Sequence, residues 1–193
     1  KIAYISIFLN IGSGLIYTPW MVSEIGTSDF GLYTLSVSII SFFAMDFGLG
    51  AAVSRFLSIY KANEDYKGEK EFLGITFKLF IVIATLLFFV LGIIYFLIEN
   101  IYVELNPVEI EKIKVIFFVS SLFTVVTFPF KPFEGILIAN ERFLFIKLTE
   151  LLHRVSIVIL MVVALSFGKG LYSIVLVNAF VGIFKVLFQY LYI

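Results

Sequence analysis

Apolar residues run along the chain in six long blocks, near 3–24, 31–58, 72–98, 110–130, 143–167 and 171–193. A helix needs about 20 such residues to cross the hydrocarbon core of a bilayer, and each block is long enough. Runs of this length do not alternate inside and outside, which excludes a β-barrel. The breaks between them are short and polar: EIGTSD, YKANEDYKGEKE, ENIYVELNPVE, KPFEGILIANER and GKG. Tyr17, Trp20, Tyr33, Tyr60, Tyr66, Tyr95, Tyr102, Tyr172 and Tyr190 gather towards the block ends, as an interfacial aromatic belt requires. The first block continues straight into a membrane pattern and lacks the small-residue cleavage site of a signal peptide. The pattern predicts an all-α, polytopic membrane helix bundle with six transmembrane helices.

At about 100° per residue the polar positions inside these helices fall into stripes. Helix 1 places Ser6, Asn10, Ser13, Tyr17 and Glu24 on one face, and helix 4 places Ser120, Thr124 and Thr127 together before Pro129 and Pro132. Helix 5 aligns Lys147, Glu150 and Arg154, with His153 beside them, and helix 6 aligns Asn178, Gly182, Lys185 and Gln189. Helix 3 has no polar stripe and is expected to face lipid. Helices packed only for stability use small residues and isolated hydroxyls at their contacts. Stripes of Lys, Arg, Glu, Asn and Gln therefore predict a polar cavity, with Lys147, Arg154, Lys185, Asn10, Asn178 and Gln189 as candidate lining. The hydroxyls of helix 4 are expected to bond their own backbone, and His153 to be an interior residue. Asn10 and Asn178 divide between cavity lining and helix–helix contact, while Arg55, Lys78 and Lys147 are placed to snorkel.

Asp46 is the exception that needs an explanation. It sits in FFAMDFGLGAAVSRF, roughly 12 residues or about 18 Å from the inner end of helix 2. Arg154 lies about 16 Å into helix 5, a comparable depth. An intramembrane carboxylate is expensive unless paired or facing water. Asp46, with Glu150 and His153, is thus a candidate either for a buried pair or for coupling to a proton or sodium gradient. Gly48 and Gly50 allow helix 2 to bend there. Asp46 is expected never to face lipid.

Composition narrows the function. Of 193 residues 61% are hydrophobic and 15% charged, with a mean hydropathy of +1.09, far from the balance of a soluble domain. Fourteen basic and fourteen acidic residues cancel, which removes the case for nucleic-acid binding. The absence of cysteine excludes disulfides and thiolate sites, and one histidine cannot make a histidine-rich metal centre. No nucleophile–base spacing stands out, so neither an enzyme nor a cofactor is expected. Arg55, Lys61, Lys67, Lys70 and Lys78 surround the second break and Lys131, Arg142 and Lys147 the fourth. Lys112, Lys114 and Lys169 are the counterparts on the other side, so the positive-inside rule puts the N-terminus in the cytoplasm. A chain that starts at Lys1 and stops at LYI is expected to be a piece of a longer protein.

Three segments carry a family resemblance. TPWMVSEIGTSDFGLYTLSVSI, from Thr18 to Ile39, resembles the first loop and second helix entry of bacterial polysaccharide flippases. DFGLGAAVSRF, Asp46 to Phe56, looks like that family's second helix, and GILIANERF, Gly135 to Phe143, is similar to its loop between helices 4 and 5. These flippases, the O-antigen type among them, belong to the multidrug/oligosaccharidyl-lipid/polysaccharide exporter superfamily. The resemblance implies a transporter of two six-helix lobes, of which residues 1–193 would be the first and the C-terminal lobe the missing partner. It further implies movement of undecaprenyl-pyrophosphate-linked oligosaccharide units from the cytoplasmic to the periplasmic leaflet of the bacterial inner membrane. The alternatives are a cation-coupled multidrug exporter of the same superfamily and a non-transporting membrane assembly subunit. The first would be expected to have a more acidic cavity.

Overall fold

The computed structural model describes residues 13–45, 48–168 and 170–193. These residues form a helical bundle. A π-helical turn, Ser13–Tyr17, leads into α1 (Thr18–Ile25), followed by α2 (Thr27–Phe43), α3 (Leu49–Ala62) and α4 (Tyr66–Ile101). Then come α5 (Pro107–Thr127), a 3-10 turn (Phe128–Phe130), α6 (Pro132–Ala139), α7 (Phe143–Ser166) and α8 (Gly170–Tyr192). Among the described residues, four spans are long and apolar enough to cross a membrane: Tyr66–Ile101, Pro107–Ala139, Phe143–Ser166 and Gly170–Tyr192. A polytopic helical membrane bundle is the fold.

Two expectations about the helices are corrected. Block 31–58 is not one helix: α2 ends at Phe43 with Ala44 as its cap, and α3 begins only at Leu49. Gly48 precedes α3 with φ 81°, ψ 11°, a left-handed conformation that glycine adopts without a Cβ penalty. The stretch 131–142, expected to be a loop, is mostly α6. Pro129 and Pro132 each stand at the start of a helical segment, where a missing N–H costs nothing, so the chain turns rather than stops. Smaller differences concern the joints. Gly26 alone, φ 87°, separates α1 from α2, so Asp29 belongs to the first turn of α2.

Capping fixes the other boundaries. Asp65 accepts from the Gly68 N–H at the start of α4. Asn106 and Glu109 form a reciprocal capping box at the start of α5, with Pro107 at the first helical position. At 36 residues α4 is about 54 Å long, well beyond a hydrocarbon core of about 30 Å, and its first turns carry Lys67, Glu69, Lys70 and Glu71.

The main core runs through α2, α3, α4, α5, α6 and α8. Helix α4 offers Phe80, Ala84, Leu87, Leu91 and Ile98 at helical spacing, and these meet Ile113, Ile116 and Phe117 of α5. So α4 lacks a polar stripe but does pack one apolar stripe inward. Its other face, including Leu86, Phe89, Ile93 and Phe96, is open, as lipid contact requires. A smaller cluster joins Met21 of α1, Met161 and Leu165 of α7, and Ile174 of α8.

Polar contacts group the joints into two ends. At one, Lys112 pairs with Asp29 at 2.6 Å, Ser28 donates to Glu109 at 3.0 Å, and Lys114 pairs with Glu99. At the other, Lys61 donates to the Asn140 side chain and pairs with Glu69 at 3.7 Å. The second and fourth breaks thus share one end, and the first and third share the other, as an up-and-down chain demands.

Candidate functional site

Two of the segments singled out in the sequence meet in space. Helix α3, from the DFGLGAAVSRF segment, packs on α6, from the GILIANERF segment. A Cβ added at Gly135 would lie 2.7 Å from the Gly50 carbonyl oxygen and 3.1 Å from Val53 Cβ. Only glycine permits this approach. Beside the crossing, α3, α6 and α8, with Thr127 of α5 and Phe130 of the 3-10 turn, border a half-open cavity of about 470 Å³. Its polar lining is Thr127, Lys131, Glu134, Lys185 and Gln189, with the Phe130 ring on one side.

The surroundings of each side chain differ. Lys131 donates to the Ala44 carbonyl at the C-terminal end of α2, where the helix dipole favours a cation, and lies 4.6 Å from the Phe128 ring centroid. Glu134 is exposed to the cavity side of α6 and Lys185 is half-buried. Gln189 is only 5% exposed, yet its amide nitrogen is buried without a hydrogen-bond partner among the described residues. Such an orphaned donor costs about 1–3 kcal/mol, so it is an unusual feature to keep in a helix that could carry leucine. Phe133 stacks on Tyr190, centroids 6.0 Å apart, and ties α6 to α8 next to it. Lys185 stands seven residues, about 10 Å, from Tyr192, whose ring stacks on Phe145 at the start of α7. By sequence the cavity lining falls within the candidate spans Pro107–Ala139 and Gly170–Tyr192 and on the neighbouring α3.

A second, smaller cavity of about 200 Å³ lies further along α8, lined by Tyr33, Ser41, Ser120, Thr124 and Asn178. Asn178 donates to Ile174 O at 2.8 Å and reaches the Tyr33 hydroxyl at 3.4 Å. Thr124 and Thr127 bond back to the carbonyls of Ser120 and Phe123, as expected of the helix 4 hydroxyls. Between the cavities the Phe123 ring sits over Gly182, where an added Cβ would meet it at 2.6 Å.

Of the residues proposed from sequence, the structure brings Lys185 and Gln189 into the larger cavity and Asn178 into the smaller. Lys147 and Glu150 form an i, i+3 pair at 2.7 Å on the surface of α7. His153 lies against the backbone of Val181 near Lys185 and Arg154, with its Nδ1 buried and unpartnered among the described residues, while Arg154 is exposed. Asn10 and Asp46 lie outside the described residues. Lys131 and Glu134 were missed as lining, although Thr127, Lys131 and Glu134 keep the i, i+4, i+7 spacing of one face straight through the two prolines.

The sequence model of one family, described as polysaccharide biosynthesis protein, matches residues 2–193. The chain belongs to the polysaccharide biosynthesis protein family. This fits a membrane transporter that serves polysaccharide synthesis, built on several apolar helices. No curated protein and no solved structure matches the chain.

Proposed function

We propose that this polysaccharide biosynthesis family protein flips lipid-linked oligosaccharide repeat units from the cytoplasmic to the outer leaflet by alternating access, residues 1–193 serving as the first of two lobes. The observation that carries the reading is the cavity lined by Lys131, Glu134, Lys185 and Gln189, side chains that fall within two otherwise apolar candidate spans, Pro107–Ala139 and Gly170–Tyr192. Charged groups within such spans are costly, and they mark a path for a polar substrate. A sugar chain needs such a path; its lipid tail does not. The lysine and arginine asymmetry orients the end holding Lys61 and Asn140 towards the cytoplasm, with the N-terminus on the same side. A proton or sodium gradient, with Asp46 as its carboxylate, would supply the driving force.

Depletion of the full-length protein in its own cells tests this. Lipid-linked repeat units should accumulate where an impermeant reagent cannot modify them in spheroplasts. Their continued exposure on the outer surface after depletion would refute the proposal.

A further inference from the structure

A lipid-linked sugar offers two groups that the cavity between α3, α6 and α8 could hold, the sugar and the phosphates. Lys131 already donates to the Ala44 carbonyl. The charged groups of the lining are the ammoniums of Lys131 and Lys185 against the carboxylate of Glu134, a net of about one positive charge, with the amide of Gln189 beside them. Lys185 and Gln189 are one turn apart on α8, and Glu134 comes from α6. A diphosphate carries several negative charges and is matched by clusters of Lys and Arg. A carboxylate in the same cavity opposes it.

Hydroxyl groups are different, because each both donates and accepts. A pyranose ring presents several of them around its edge and C–H groups on its faces. Glu134 supplies an acceptor, Lys185 supplies donors, and the Phe130 ring supplies an apolar wall, while the unpartnered Gln189 nitrogen, closed off from solvent here, becomes a further donor once its side chain turns towards a bound ring. A volume of about 470 Å³ falls in the range of small-molecule sites. We infer that this cavity is a saccharide subsite, holding one sugar ring of the cargo through its hydroxyls and leaving the diphosphate outside. The inference rests on the transport reading. It also gives a use to the amide nitrogen at position 189, which has no partner among the described residues and which a turn of the side chain would bring to the cargo.

Binding to the full-length protein in nanodiscs separates the possibilities. Two probes are used: repeat-unit lipid purified from the source cells, and undecaprenyl diphosphate without sugar. Gln189→Leu and Glu134→Gln should each weaken the sugar-bearing probe by roughly tenfold, the loss of one hydrogen bond to a buried or charged group. Binding of the sugar-free lipid should not change. Gln189→Leu should also keep or raise the melting temperature, since it removes an unbonded buried donor, so loss of binding will not reflect loss of fold. Equal weakening of both probes would mean that the cavity holds the diphosphate, and unchanged binding of both would mean that it holds neither; either overturns the subsite. Wild-type protein that binds the sugar-bearing lipid no tighter than the bare one overturns the subsite alone. Wild-type protein that binds neither overturns the transport reading as well.

Discussion

Replacing Gly135 by alanine probes the crossing on which the cavity is built. The new Cβ would stand 2.7 Å from the Gly50 carbonyl oxygen and 3.1 Å from both Cβ and Cγ1 of Val53. The first of these is backbone and cannot rotate away, so α3 and α6 must separate by several tenths of an ångström. Overpacking of this kind costs about 1–3 kcal/mol. Alanine regains up to about 1 kcal/mol of helix propensity, which takes a mid-range overpacking cost of about 2 kcal/mol to a net loss of roughly 1 kcal/mol. Gly74 of α4 supplies the control, because a Cβ there meets nothing within 4 Å. Gly74→Ala should stabilise by about 0.5–1 kcal/mol through propensity alone. Thermal unfolding in detergent, followed by the fraction remaining monodisperse, should rank the proteins Gly74→Ala, wild type, Gly135→Ala. If Gly135→Ala melts at or above wild type, the close approach of α3 and α6 is refuted.

Other perturbations read other parts of the bundle. Lys112→Met should cost about 1 kcal/mol or less in thermal stability by removing the 2.6 Å pair with Asp29, and exchanging the two residues should restore it. Asn106→Ala removes the side-chain acceptor for the Glu109 N–H and should cost about 1 kcal/mol, visible as faster amide exchange in the first turn of α5. In this cysteine-free chain, a cysteine at Asn63 should react with an impermeant thiol reagent only after permeabilisation, and one at Glu104 in intact cells; the reverse pattern would invert the proposed topology.

The bundle itself was legible because lipid exposure requires long apolar runs, and these survive without any tertiary information. The cavity was legible only in part. Lys185 and Gln189 show up as a polar stripe on one helix, whereas Lys131 and Glu134 were hidden by Pro129 and Pro132. Proline marks either the end of a helix or the start of one, and local sequence does not separate the two. The break before Gly48 is similar: a glycine in an apolar run reads as softness until its φ of 81° is known. Contacts such as Lys61 with Asn140, or the orphaned amide of Gln189, depend on helices distant in sequence and have no local signature.

The central claim is that the protein moves a lipid-linked sugar across the bilayer. Reconstitution tests it most directly: full-length protein in liposomes loaded with repeat-unit lipid, with outer-leaflet sugar followed by an impermeant sugar-oxidising reagent. The claim predicts that the accessible fraction rises from the outer-leaflet share towards the whole, and that Glu134→Gln slows this rise without changing how much protein is incorporated. An accessible fraction that stays at the protein-free level would contradict it.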